Sequence, residues 1–154
     1  MSTLSIGSYS HGTLRAQDLA DTLRDMLLSM EHTESDSIVQ ELGAIVGDEG
    51  RDTEYDPEVI SDAIDILQDY APPFCYVGMS EGDGSDLGVW FDSEAFESAR
   101  REGDILTVSD SSELDDMAKE DVAAFNYIAI VSDHGNISLY AVRVGLGEEL
   151  LSVV

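Results

Sequence analysis

In this chain of 154 residues, 33 Asp and Glu stand against 7 Lys and Arg, a formal net charge of -26 at pH 7. A field of that sign selects a basic partner or a concentrated salt solution, and so few cations cannot neutralise a phosphate track, which excludes DNA and RNA as direct ligands. Hydrophobic residues at 43% lie near the ordinary globular level, so the chain is expected to fold as a single domain over 1–154 without metal or disulfide support.

After an N-terminal segment 1–15, the periodicity is helical over 16–71 and mainly that of strands over 74–154. Leu19, Leu23, Met26, Leu27 and Met30 recur at three- and four-residue spacing and predict an amphipathic helix from Ala16 to Glu31. Thr33-Glu34-Ser35-Asp36 offers caps for a second helix with Ile38, Val39, Leu42, Ile45 and Val46 on its apolar face, ending near Gly47. A loop over 47–54 follows, and Asp56-Pro57 places a cap before a proline suited to the first helical position. This third helix is expected to reach Tyr70, where Ala71-Pro72-Pro73 stops it. Beyond it, Cys75–Met79 and Leu87–Asp92 read as strands flanking the Gly/Asp loop 80–86. Ser93–Arg101 reads as a short helix, Ile105–Val108 as a strand and Glu113–Ala124 as a helix or turn-rich connection. Tyr127–Ser132 and Ile137–Val144 flank the turn Asp133-His134-Gly135-Asn136, and Leu150–Val154 can add a last strand. The expected class is α+β, N-terminal helices packed on a mainly antiparallel sheet.

Few other signals compete. The lone Cys75 rules out an intramolecular disulfide and reads as a small core residue of a reducing compartment. Met1–Gly7 has neither a basic nor an apolar leader region, and no apolar stretch of about 18 residues exists. A cytosolic protein is expected. There is no Gly-rich phosphate loop, no Gly-x-Ser-x-Gly elbow, and no spacing of His11, His32, His134 and Cys75 that suits zinc. The reading is therefore of a non-enzyme without cofactor or metal.

The acidic residues are unevenly placed. Residues 31–69 hold 13 of them with one Arg, and 81–121 hold 14 with two Arg and one Lys, whereas 122–154 hold only Asp133, Glu148 and Glu149. In the third helix Glu58, Asp62, Asp65 and Asp69 fall at i, i+4, i+7 and i+11, one stripe opposite Val59, Ile60, Ala63, Ile64 and Leu67. At the helical rise the stripe spans about 16 Å, a spacing that approximates a row of phosphates. Asp48, Glu49, Asp52 and Glu54 in the preceding loop extend it, and Asp18, Asp21 and Asp25 repeat the theme on the first helix. An ordinary exposed helix mixes Lys with Glu at i, i+4 and gains from each pair. These faces accept repulsion instead.

Size, acidity and near absence of Lys resemble the DNA-mimic inhibitors of phages and mobile elements, which block restriction-modification enzymes, uracil-DNA glycosylases or other DNA-binding host proteins. The strings Gly12-Thr13-Leu14-Arg15, Glu81-Gly82-Asp83-Gly84-Ser85-Asp86 and Val131-Ser132-Asp133-His134-Gly135-Asn136 are also similar to uncharacterised small phage proteins. The resemblance implies an anti-restriction or host-defence-evasion role through a basic host protein, with no membrane partner and with homodimerisation left open. Two other readings stand beside it. A halophilic surface is also rich in carboxylates and poor in Lys, though it covers the whole molecule. Asp83–Glu94 has the length of a calcium-binding EF-hand loop, with Gly88 at position 6 but Leu87 at position 5, where an oxygen ligand belongs.

Overall fold

A computed structural model describes residues 2–47, 57–143 and 145–154. The class is α+β, with one antiparallel and one mixed sheet. By their contacts the residues form two compact units, Met1–Trp90 and Phe91–Val154.

The first unit opens with a short strand that the sequence pattern does not announce, β1 (Gly7–Ser10). Helix α1 (Ala16–Ser29) follows, then α2 (Ser37–Gly47) and α3 (Pro57–Gln68). Strands β2 (Cys75–Met79) and β3 (Leu87–Phe91) complete an antiparallel sheet in the order β1-β3-β2. The helices pack on one another, α1 lies against β1, and α3 lies against β2. Their predicted apolar faces meet, burying Leu23, Leu27, Val39, Leu42, Ala63 and Leu67 with no exposed surface. Each fully buried leucine removes enough apolar area to contribute about 2 kcal/mol before entropy is counted.

Helix α1 ends two residues before Glu31. Met30 N–H donates to the Leu27 carbonyl, and the His32 N–H returns to the same oxygen across Glu31, whose φ is +75°. That is the left-handed position of a Schellman-type ending, where glycine is the usual occupant. Replacing the exposed Glu31 by Gly removes the Cβ strain but adds freedom to the unfolded chain. The expected net gain is about 0.5–1 kcal/mol, read as an upward shift of the urea midpoint with unchanged slope.

Beyond α3 the polypeptide turns at Pro72-Pro73-Phe74, with Cys75 N–H donating to the Pro72 carbonyl and Phe74 at φ +60°. Proline followed by a positive-φ residue is the pattern of a type II turn. Strand β2 is an edge strand, and the Gln68 side chain completes it: its amide donates to the Cys75 carbonyl at 3.0 Å and its oxygen accepts from Val77 N–H at 2.9 Å. On the other side of β3, Gly88 stands opposite Ser8 of β1. The Trp90 indole packs over this glycine and donates to the Gly78 carbonyl at 2.9 Å.

The second unit starts with α4 (Ser93–Glu102), capped by Asp92, whose carboxylate accepts from Ala95 N–H at 2.9 Å. Its C-terminus is closed by Gly103 at φ +86°. Strand β4 (Ile105–Val108) occupies its expected range. A 3₁₀ helix (Ser111–Asp116) and the single turn α5 (Lys119–Val122) form the connection to β5 (Tyr127–Val131). That crossover is long enough to make β4 and β5 parallel, pairing Ile105 with Tyr127 and Val108 with Ile130. Strands β6 (Ile137–Arg143) and β7 (Gly145–Val153) continue antiparallel, in the order β4-β5-β6-β7. The turn between β5 and β6 is the predicted one, with Gly135 at φ +84° and Ser132 N–H donating to the Asn136 carbonyl at 2.9 Å.

No helix among the described residues is long and apolar enough to cross a membrane.

Candidate acidic interaction surface

Among the described residues no charged side chain is buried. The acids nevertheless divide into two groups by what they hold.

One group is engaged in local structure. Asp36 accepts from Thr33 N–H at 3.0 Å, and that bond, followed by those from His32 and the Thr33 hydroxyl, keeps its carboxyl below the usual range. Asp83 accepts from both the backbone and the hydroxyl of Ser85, which lowers it likewise. Asp110 and Glu113 form a capping box for the 3₁₀ helix, Asp110 accepting from Ser112 N–H at 2.7 Å and Glu113 from Ser109 and Asp110 N–H at 3.0 and 3.2 Å. Ser112 lowers the first carboxyl, and Ser109 lowers the second. Asp86 accepts from the Ser8 hydroxyl and lies 3.4 Å from His11 Nδ1. Asp18, in the first turn of α1, accepts from the Thr13 hydroxyl at 2.6 Å. Glu149 accepts from the Tyr140 hydroxyl at 2.9 Å, which pushes that phenol up.

Asp62, Asp65 and Asp69 of the α3 stripe belong to the other group. Glu58, Asp62, Asp65 and Asp69 are all exposed, with Ala63 and Leu67 buried on the opposite side of the helix. Asp69 stands one residue past the end of α3, in the turn that follows Gln68. Among the described residues Asp62, Asp65 and Asp69 receive no hydrogen bond from a side chain or loop amide and meet no cation. The described ion pairs lie elsewhere: Arg24–Glu34 at 2.6 Å, His32–Asp36, His11–Asp86 and Arg100–Glu97. On α1, Asp21 and Asp25 are exposed in the same way, while Asp18 is half-buried. Asp48, Glu49, Asp52 and Glu54 lie outside the described residues.

The span 83–94 is not a loop wrapped around one centre. Asp83 is tied to Ser85, Leu87 and Gly88 are buried in β3, and Glu94 lies in the first turn of α4. No group of three or more His, Cys, Asp or Glu among the described residues is placed to hold a metal ion. His134 is exposed in the β5–β6 turn, and Cys75 is buried in β2.

Two structural acids, Asp110 and Glu113, stand at the three-residue spacing of a capping box, a signal that the charge of the 81–121 segment hides. Glu41, exposed on α2, is the single acid of that helix and forms no stripe there. Comparison of the chain with protein-family models, curated proteins and solved structures finds no match.

Proposed function

We propose that this protein is a DNA-mimic inhibitor that occupies the DNA-binding site of a basic DNA-processing or defence protein, such as a restriction-modification enzyme or a uracil-DNA glycosylase. The observation that supports this reading is the division among the carboxylates. Those of the second group, Asp62 and Asp65 on α3 and Asp69 in the turn just after it, are exposed and are bound to no described cation. Structure-making acids gain hydrogen bonds that offset their mutual repulsion. Asp62, Asp65 and Asp69 gain none from described side chains, and a basic surface that covers them relieves their repulsion. Glu58 begins this row, and the 48–54 acids precede it in the chain.

The reading predicts a DNA-like salt response. If four carboxylates replace four phosphates, affinity for the target falls about a hundredfold between roughly 50 and 200 mM salt. Titration of a candidate target, a basic DNA-processing enzyme, by calorimetry or by loss of its DNA binding measures this. A flat response counts against mimicry. A melting temperature that collapses in dilute buffer and recovers in molar salt assigns the acidity to halophilic adaptation instead.

A further inference from the structure

We propose that His32 is a proton-operated latch between the α1–α2 connection and the chain that leaves α3. Its Nδ1 lies 3.0 Å from Asp36 Oδ2 and its Nε2 lies 3.2 Å from the Tyr70 hydroxyl. The His32 and Tyr70 rings meet edge to face with centroids 5.8 Å apart, and the imidazole is mostly shielded, at 21% exposure.

These contacts fix where the protons sit. An ionised carboxylate has only acceptor positions, so Nδ1 carries the hydrogen that bridges to Asp36. The neutral ring then offers only a lone pair at Nε2, and the Tyr70 hydroxyl donates to it. Asp36 remains an acceptor on mild acidification, because the Thr33 N–H and then His32 hold its carboxyl below the usual range.

Uptake of one solvent proton at Nε2 reverses the second bond. The imidazolium donates at both nitrogens, to the carboxylate and to the phenol oxygen, while the Tyr70 proton turns away. No bond is lost: the contact to the phenol becomes charge-assisted, and the one to the carboxylate becomes an ion pair. The charged groups nearest in sequence are Glu31 and Glu34 in the connection, Arg24 on α1, paired with Glu34 at 2.6 Å, and Asp69 beside Tyr70; the others on the three helices, Asp18, Asp21, Asp25, Glu41, Glu58, Asp62 and Asp65, are all acids.

The latch joins three segments. The Tyr70 carbonyl accepts from Leu4 N–H at 2.8 Å, and the Tyr70 N–H donates to Leu67 at 3.0 Å. A change at Nε2 is therefore felt at the N-terminal segment, at the helix connection and at the end of α3.

The test is nitrogen-detected NMR of the ring, combined with amide exchange at Tyr70 and Ala71 normalised for intrinsic rates. It spans about pH 8 to about pH 5.5, where histidine side chains change charge. The ring is expected in the Nδ1–H form at the upper end, and protection is expected to rise about five-fold toward the lower end. Tyr70→Phe keeps the tautomer and loses most of the rise, and His32→Gln loses all of it. A ring in the Nε2–H form at the upper end, or an undiminished rise in His32→Gln, overturns the proposal.

Discussion

Exchanging Glu58, Asp62, Asp65 and Asp69 together for lysine is expected to abolish inhibition, with affinity for the basic target falling by roughly a thousandfold or more. Each exchange removes an attraction and places a like charge against the partner, and such juxtapositions cost several kcal/mol across an interface. The fold is expected to survive. All four side chains are exposed and the helix keeps its buried Ala63 and Leu67, so the cost should stay within about 0.5 kcal/mol per site and relief of repulsion can offset it. Circular dichroism and the urea midpoint check the fold, and competition with a DNA duplex for the target checks function. Asp133→Lys serves as the control, since Asp133 lies exposed in the β5–β6 turn of the acid-poor segment. Glu149 is a poorer control because it holds the Tyr140 hydroxyl. If the quadruple variant stays folded and inhibits like the parent, α3 is not the mimic face and the acids of 81–121 become the next candidates.

Gly88→Ala is expected to destabilise the first unit by about 3 kcal/mol, at the upper end of the usual penalty for overpacking. A Cβ at this position would collide with the Gly7 carbonyl oxygen and stand 2.7 Å from one Trp90 ring atom and 3.0 Å from another. The ring can rotate only by giving up its 2.9 Å bond to the Gly78 carbonyl. The Gly7 oxygen belongs to the backbone of the paired strand, so β1 must separate from β3 or shift. The chain contains a single Trp, so its fluorescence during urea unfolding reads this event directly. A midpoint equal to the parent's would show that β1 yields without cost.

The helices and most strands were legible because each carries its own apolar period. Leu23, Leu27, Val39, Leu42 and Leu67 mark their faces in the sequence and are fully buried in the structure. Strand β1 was not legible: Gly7-Ser8-Tyr9-Ser10 has no alternating apolar residues, and its place depends on pairing with β3, which lies almost 80 residues away. The parallel pairing of β4 with β5 was hidden for a related reason, since direction depends on the path of the crossover rather than on either strand. β7 begins at Gly145, five residues before the expected start, where glycines and acids dilute the strand pattern. For the candidate surface, Glu58, Asp62 and Asp65 are exposed on α3, while Asp69 is exposed in the turn just beyond it, because the helix stops at Gln68 rather than at the expected Tyr70. Spacing could not separate acids that cap turns, such as Asp110 and Glu113, from those that receive no described hydrogen bond.

The Gln68 amide against β2 has a consequence for how the protein behaves at high concentration. An edge strand presents a row of unmet donors and acceptors that a second chain can extend, and the usual deterrents are charge, proline or a bulge. Cys75–Met79 carries no charge. Its carbonyl at Cys75 and its N–H at Val77 are instead taken by one side chain that imitates a neighbouring strand. The helix that displays most of the acidic stripe thus also ends in a gatekeeper, closing against self-association an edge of the sheet that no charge within the strand itself guards.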